Sequence, residues 1–126
     1  MIDFSYERQK IDAHSGCIFK GRNYRCFYVT FDTLYRDPAE GTEMVQLYDF
    51  RPKGDIRASA LILHGLGTRN IEFLLWMGTH LASAGVNAVA PVLPSNFTRI
   101  ENNRLYGSRY LWPDYDTLYN VYEHAI

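Results

Sequence analysis

The chain has 126 residues, 47% of them hydrophobic and 21% charged, so it can bury one ordinary core and is too apolar for a disordered segment. Its formal net charge of -1, from 13 basic and 14 acidic side chains, excludes a general attraction to nucleic acid or anionic membranes. It contains no apolar run of about 18 residues, which excludes an encoded membrane-spanning helix.

The two cysteines and the first residues of the chain bear on its cellular compartment. Cys17 and Cys26 have neither the CxxC spacing of a metal site nor the density of a disulfide scaffold, so we expect two free thiols. Charged residues interrupt the first ten positions, unlike the apolar segment of a signal peptide. These features predict a cytoplasmic protein.

Residues 1–57 predict an antiparallel hairpin that follows an irregular start. Residues 1–25 are polar and carry no regular period. Residues 26–31 (CFYVTF) are β-branched and aromatic, and residues 42–50 (TEMVQLYDF) partly alternate, so both are predicted strands. The DPAEG turn between the two segments favours their antiparallel pairing.

Residues 58–93 predict a strand, a helix and a second strand. Residues 58–63 (ASALIL) and 86–93 (VNAVAPVL) are continuous apolar runs, typical of strands buried on both faces of a sheet, and Pro91 predicts a bulge or a strand end. Thr68 or Asn70 is expected to cap the helix between them, and Gly85 to end it in a left-handed conformation. Its apolar positions share one face: Ile71, Leu74, Leu75, Gly78, Leu81 and Ala82.

Residues 94–126 predict a polar loop to about residue 108 and then a helix from about residue 112. Asp114 and Asp116 are suited to capping the start of this helix. A crossover helix leads to a further strand, and none follows, so we expect residues 1–126 to form a single, incomplete domain. The helix is predicted from apolar positions four and three residues apart: Leu111, Tyr115, Leu118, Tyr122 and Ala125.

The segment that bears most on function is LILHGLGTRN, residues 61–70. Its glycines let a backbone N–H approach a ligand atom, and the amino end of the next helix adds oriented donors suited to a developing negative charge. The four central residues of this segment, HGLG, are also compatible with a tight turn that has no function beyond connecting the strand to the helix. They are also compatible with phosphate binding, although the third glycine of GxGxxG and the lysine of a P-loop are missing.

Together with its flanking strands and helices, this segment resembles the third strand and oxyanion loop of α/β-hydrolases, among them esterases, acyl-peptidases and dienelactone hydrolases. The resemblance covers residues 58–126 and implies an α/β fold, in which the N-terminal hairpin leads into a partial sheet with one parallel βαβ unit and a trailing helix. It implies hydrolysis of ester or amide acyl substrates without a cofactor. It also implies that Leu66 or Gly67 supplies a backbone N–H to the oxyanion hole, while His64 and Gly65 shape the loop.

The chain departs from the family pattern at the catalytic residues. No GxSxG nucleophile elbow occurs, and the acid and histidine that would follow it are also missing, so we expect no catalytic residue here and no activity of this chain alone. An alternative is a complete, non-catalytic binding module that uses an open sheet edge, with possible self-association there. Neither interpretation involves nucleic acid or a membrane as partner.

The remaining polar and aromatic residues favour structural roles. The histidines at 14, 80 and 124 lack metal-binding spacing, so no metal site is predicted and packing or surface roles are expected. Ser83 and Ser95 are not in a nucleophile context, although Ser95 is a candidate to line a pocket. Core packing is favoured over an acyl pocket for five aromatic residues: Phe73, Trp76, Tyr106, Tyr110 and Trp112.

Overall fold

The computed structural model describes residues 8–65, 70–100, 108–111 and 113–125. Within them, five strands form one mixed sheet in the order β1-β2-β3-β5-β4, and β4 pairs parallel with β5 while the other neighbours are antiparallel. The chain therefore has the α/β fold that the sequence predicts, with an antiparallel hairpin and one parallel βαβ unit. The strands are β1 (His14–Lys20), β2 (Tyr24–Asp32), β3 (Met44–Pro52), β4 (Ala58–Leu61) and β5 (Val86–Val92); the α-helices are α1 (Glu72–Ser83) and α2 (Tyr115–Ala125), and a short 3-10 helix spans Ser108–Leu111.

The predicted hairpin is confirmed, but the prediction of an irregular start is wrong for β1. Strands β2 and β3 pair without a break from Tyr24 opposite Pro52 to Asp32 opposite Met44. Strand β1 adds to β2 as an edge strand, with a register shift between Cys17 and Phe19. Its side chains are exposed except that of Phe19, which packs edge-on against the buried ring of Phe50. Backbone hydrogen bonds and this contact hold β1, and the strand carries no hydrophobic alternation.

Helix α1 covers one face of the sheet. Its buried side is Leu74, Gly78 and Ala82, all on the predicted apolar face. Gly78 allows a close approach, because a Cβ at this position would lie 2.4 Å from ring atoms of Phe50. Phe50 is fully buried in β3, so the helix and the centre of the sheet meet at this glycine.

The two ends of α1 differ from each other in how well the sequence predicts them. Gly85 follows the helix with φ of 86° and donates its N–H to the carbonyl of Ala82, as expected of a left-handed glycine. The predicted side-chain cap at Asn70 is wrong, because the N-cap residue is Ile71, which makes no side-chain hydrogen bond. Thr68, the other candidate cap, lies outside the described residues.

Pro91 lies within β5 without distorting it. The register against β3 is continuous through Leu47 opposite Pro91, so the predicted bulge is absent and the strand ends one residue later, at Val92. The pairing with β4 stops at Leu61 opposite Val89, before Pro91 is reached. The missing N–H of the proline therefore has no consequence for the parallel pair.

Strand β4 forms the second edge of the sheet and is less buried than its apolar sequence predicts. Ile62, just after it, is buried against the α1 side, whereas Leu61 and Leu63 alternate with it and are 65% and 58% exposed. The prediction of burial on both faces is therefore wrong for β4. Its only strand neighbour among the described residues is β5.

Helix α2 begins as predicted but buries a different side. The Asp114 carboxylate accepts the N–H of Thr117 at 2.8 Å and so caps the helix. The predicted apolar face is wrong, because Leu111 and Tyr115 are exposed and Val121 is the buried residue. Among the described elements, α2 contacts the 3-10 helix, where the rings of Tyr110 and Tyr122 meet edge to face with centroids 5.3 Å apart. In the described part of the chain, no helix combines the length and the apolar character needed to cross a membrane.

Candidate functional site

His64 joins the ends of the two parallel strands. It follows β4, is 8% exposed, and its Nε2 accepts the backbone N–H of Leu93, just after β5, at 3.1 Å. An acceptor nitrogen must carry a lone pair, so the proton of the neutral ring is on Nδ1. That Nδ1–H donates to the carbonyl of Gly65 at 3.2 Å. Both ring nitrogens are thus used in fixing the segment that leaves β4.

The surroundings of His64 keep it neutral. Burial lowers its pKa, and the opposing effect of the Gly65 carbonyl is smaller. The edge of the ring meets Phe97, with the two ring centroids 4.7 Å apart. A neutral imidazole with both nitrogens bonded to backbone is a structural link, which leaves no free nitrogen to act as a general base.

The expected oxyanion donors belong to the segment between β4 and α1. Leu66 and Gly67 lie outside the described residues, as do Thr68 and Arg69. The structure describes what flanks them: Gly65 on one side, and on the other the amino end of α1, which lacks a side-chain cap. The helix therefore begins close in sequence to the HGLG segment. Its N-cap residue, Ile71, is apolar and cannot accept a hydrogen bond from the first N–H groups of the helix.

The loop after β5 is tightly folded, in contrast to its irregular polar sequence. Ser95 and Phe97 have φ of 59° and 48°, in the left-handed region that residues other than glycine seldom adopt. Pro94, Ser95 and Asn96 are buried, and the Asn96 amide donates to the carbonyl of Pro94 at 2.9 Å. Each strained residue costs about 1–3 kcal/mol, so the surrounding contacts must hold this loop in place.

Arg99 is the buried cation that holds this loop to the sheet. It is 3% exposed, and its guanidinium donates to the carbonyls of Val92, at the end of β5, and Thr42, before β3, at 2.8 Å each. It also donates to Nε2 of His124 in α2, at 3.2 Å. Its Nε has no hydrogen-bond partner. Burial lowers the pKa of Arg99 to about 10, so it remains charged at neutral pH.

His124 is half-buried and acts as an acceptor in the same cluster. Its Nε2 lies 3.1 Å from the Thr33 hydroxyl, and its ring stacks on Tyr35 with centroids 4.7 Å apart. Burial, then the charges of Arg99 and Arg109, lower the pKa of His124 to about 4. His124 thus has the packing role that was expected, and its neighbours are polar: it bonds Thr33 and Arg99 and stacks on Tyr35. Arg99, Arg109, His124 and Thr33 are called the Arg99 cluster below.

A small cavity of about 140 Å³ opens beside the Arg99 cluster. Ser95, a candidate pocket residue from its sequence context, lines it together with Arg109 and His124. The role of Arg99 is not predictable from the sequence, because one arginine in a polar loop has no period or motif that distinguishes it from a solvated side chain. The polar residues of the cavity wall are Tyr35, Asp37, Thr42, Ser95, Arg109, Asn120 and His124.

A second, more open groove of about 510 Å³ lies at the other end of the sheet, where β4 and β5 begin. Arg22, Lys53 and Arg57 line it beside Asp55 and Gly85. None of the residues predicted to take part in chemistry lines this groove.

The remaining candidate residues do not assemble into a site. In residues 8–65, 70–100, 108–111 and 113–125, no three His, Cys, Asp or Glu side chains come together as metal ligands. Phe73 and Trp76 are 58% and 57% exposed and stack on each other, so core packing is wrong for both. Tyr110 is partly buried, and burial raises its pKa to about 12. Tyr106 and Trp112 lie outside the described residues. Cys17 and Cys26 are free thiols, as predicted.

No protein-family model and no curated protein matches the sequence. Among solved structures, the chain is similar to a PEG-bound cold-adapted esterase from an Arctic intertidal metagenomic library, with 16% identity and a TM-score of 0.49 over 71% of this chain and 34% of that chain. It is also similar to an acetyl xylan esterase from Paenibacillus sp. R4, with 16% identity and a TM-score of 0.48 over 69% of this chain and 27% of that chain. The chain thus spans about a third of these structures or less.

Proposed function

We propose that the chain is the N-terminal part of a serine-type α/β-hydrolase that acts on ester or amide acyl substrates, and that it supplies the oxyanion loop. One observation carries the proposal: the HGLG sequence stands in the chain between β4 and α1, in a β4–α1–β5 unit whose two strands are parallel. This is the setting in which glycine-rich loops present backbone N–H groups to a developing negative charge.

In this proposal, the donors are the backbone N–H groups of Leu66 or Gly67. They stabilise the oxygen of a tetrahedral intermediate, which carries more negative charge than the substrate carbonyl, so they act on the transition state. His64 and Gly65 are positioning residues, because the two hydrogen bonds of the imidazole fix the direction in which the chain leaves β4.

The chemistry of attack must come from residues outside this sequence. Acyl transfer needs an activated nucleophile, a base that accepts its proton, and an acid that orients the base. No serine among these 126 residues lies in a GxSxG sequence. An oxyanion loop contributes about 10²–10³-fold in rate, and only to a substrate that is already under attack. We therefore expect the chain alone to be inactive.

The first experiment reads the coding sequence beyond residue 126. The proposal expects an in-frame continuation with a GxSxG elbow within about 40 residues. A stop codon at this position in independent copies of the gene would contradict it. The purified 126-residue chain should not hydrolyse p-nitrophenyl acetate; turnover that a serine-directed inhibitor removes would also contradict it.

The second experiment tests the oxyanion donor in the protein that includes the continuation. Gly67→Pro removes one backbone N–H, so kcat should fall about 10²–10³-fold with a small change in KM. Gly67→Ala keeps the N–H and serves as the matched control, with a far smaller loss. Equal losses in the two variants would argue against a hydrogen-bond donor at this position.

A second candidate function is a non-catalytic binding module that takes a further strand at the β4 edge. The observation in its favour is that β4 ends the sheet and leaves Leu61 and Leu63 exposed. Unpaired edges with apolar side chains favour strand addition. Sedimentation equilibrium separates the candidates when read with the gene sequence: a reversible dimer together with a stop codon after residue 126 favours the binding module.

A further inference from the structure

The loop that follows β5 contacts His64 at two points. Leu93, at its start, donates its backbone N–H to Nε2 of the imidazole at 3.1 Å. Further along the loop, the ring of Phe97 packs edge to face with the imidazole, with the two centroids 4.7 Å apart. The place of His64 therefore depends on the place of this loop.

The loop is held in a shape that its residues do not prefer. Ser95 and Phe97 have φ values of 59° and 48°, and residues other than glycine keep such values only where surrounding contacts impose them. The backbone N–H of Arg99 donates to the Asn96 carbonyl at 2.8 Å, which closes the end of the loop. This bond does not connect the end of the loop to Leu93, so a longer-range contact must fix the two relative to each other.

The side chain of Arg99 makes that contact. Its Nη1 donates to the Val92 carbonyl and its Nη2 to the Thr42 carbonyl, each at 2.8 Å. Because the side chain is almost fully buried, water does not compete for these bonds. The donors of a guanidinium lie in fixed directions in one plane, so Arg99 ties the end of the loop both to the end of β5 and to the segment before β3.

Arg99 and His64 bind opposite sides of one peptide group. The carbonyl of Val92 accepts from the guanidinium, and the N–H of the same peptide group, which belongs to Leu93, donates to the imidazole. This group is planar and trans, so a change in its orientation alters both bonds. A cation at the carbonyl also polarises the peptide group, which strengthens its N–H as a donor.

We propose that Arg99 is a positioning residue for the HGLG segment and acts on His64 through the Val92–Leu93 peptide group. The peptide N–H requires a lone pair on Nε2 and so holds the proton of the ring on Nδ1, which donates to the Gly65 carbonyl at 3.2 Å. Arg99 thereby fixes the start of the segment to which the oxyanion donors are assigned. The consequence for catalysis rests on the proposed hydrolase function, whereas the effect on His64 does not.

Nitrogen NMR of the 126-residue chain at pH 7.5 tests the effect on His64. In the wild type, Nδ1 should resonate as a protonated nitrogen and Nε2 as an unprotonated one. Arg99→Met removes the guanidinium donors, so the two resonances should move toward each other. The Leu93 amide should exchange with solvent about 10-fold faster, after correction for any change in the β2 amides, which report global unfolding. Unchanged His64 resonances and Leu93 exchange in folded Arg99→Met would overturn the proposal.

Two further variants separate positioning from a general loss of charge or stability. Arg51→Met removes a guanidinium that pairs with Asp49 on β3 and should leave the His64 resonances unchanged. A change as large as that of Arg99→Met would overturn the proposal. Arg99→Lys keeps the charge without the planar set of donors and should give an intermediate change. It takes the place of Arg99→Met, under the same criteria, if that variant does not fold.

The catalytic consequence is measured in the protein that includes the continuation. Arg99→Lys should lower kcat about 10–10²-fold with a small change in KM, because displaced oxyanion donors weaken binding of the transition state. If Gly67→Pro lowers kcat and Arg99→Lys does not, Arg99 does not position the donors and the proposal is overturned. If neither variant lowers kcat, the proposed hydrolase function is wrong, and the His64 resonances alone decide whether Arg99 positions this histidine.

Discussion

Replacing His64 by leucine tests whether its hydrogen bond with Leu93 holds the ends of β4 and β5 together. Leucine fills a similar volume but offers no acceptor, so the Leu93 N–H loses a partner at 3.1 Å and the Gly65 carbonyl loses one at 3.2 Å. Because His64 is 8% exposed, water does not readily replace these bonds.

The expected cost follows from these contacts. An unsatisfied donor in a buried position costs about 1–3 kcal/mol, and the lost edge contact with the Phe97 ring adds about 0.5–1.5 kcal/mol. We therefore expect His64→Leu to lower the free energy of unfolding by about 2–4 kcal/mol. His64→Gln is the matched control, since its side-chain carbonyl reaches about as far as Nε2 and keeps an acceptor for Leu93.

Urea unfolding of the wild type, His64→Leu and His64→Gln at pH 7.5 measures these differences. The glutamine variant should recover at least half of the loss. Near-equal stability of the leucine variant and the wild type would refute the link between the strand ends. Equal losses in both variants would show that ring packing, and not the acceptor at Nε2, is what matters.

Three further predictions concern the core, the Arg99 cluster and the sheet edge. Gly78→Ala should destabilise the fold by about 1–3 kcal/mol in urea unfolding, because its Cβ would lie 2.4 Å from the buried Phe50 ring. Stability should fall as the pH drops from about 6.5 to about 4, since folded His124 binds its proton only near pH 4 and the unfolded chain binds it near 6.5. After solvent screening this loss is on the order of 1–2 kcal/mol in urea titrations across that range. Leu61→Lys should weaken self-association at least 10-fold in sedimentation equilibrium.

Each of these predictions has its own control. Gly54→Ala makes the same chemical change at a glycine with no atom within 4 Å of its Cβ position, and should be close to neutral. His124→Gln should remove part of the loss of folding stability between pH 6.5 and pH 4. An unchanged dependence of stability on pH would mean that His124 does not cause this loss. Phe73→Lys replaces an exposed apolar side chain on α1 and adds the same single positive charge as Leu61→Lys adds on β4; an equal loss of association would count against the β4 edge as the contact.

Regular elements with a buried face could be predicted from the sequence, and elements without one could not. The α1 face around Leu74, Gly78 and Ala82 is found where the apolar period places it. Strand β1 was missed because its exposed side chains leave no alternation to detect. The predicted α2 face was wrong because the choice between Tyr115 and Val121 depends on which neighbour the helix meets, and that is a long-range contact.

The sequence by itself determined the hairpin, the parallel β4–α1–β5 unit and the HGLG segment between β4 and α1, because local periodicity and glycine spacing encode these features. Only the tertiary structure decided that the imidazole of His64 bonds the backbone of Leu93, 29 residues away, and that Arg99 bonds Thr42, 57 residues away. Such polar contacts between distant segments have no sequence period, since burial and direction, which arise only on folding, select the partner.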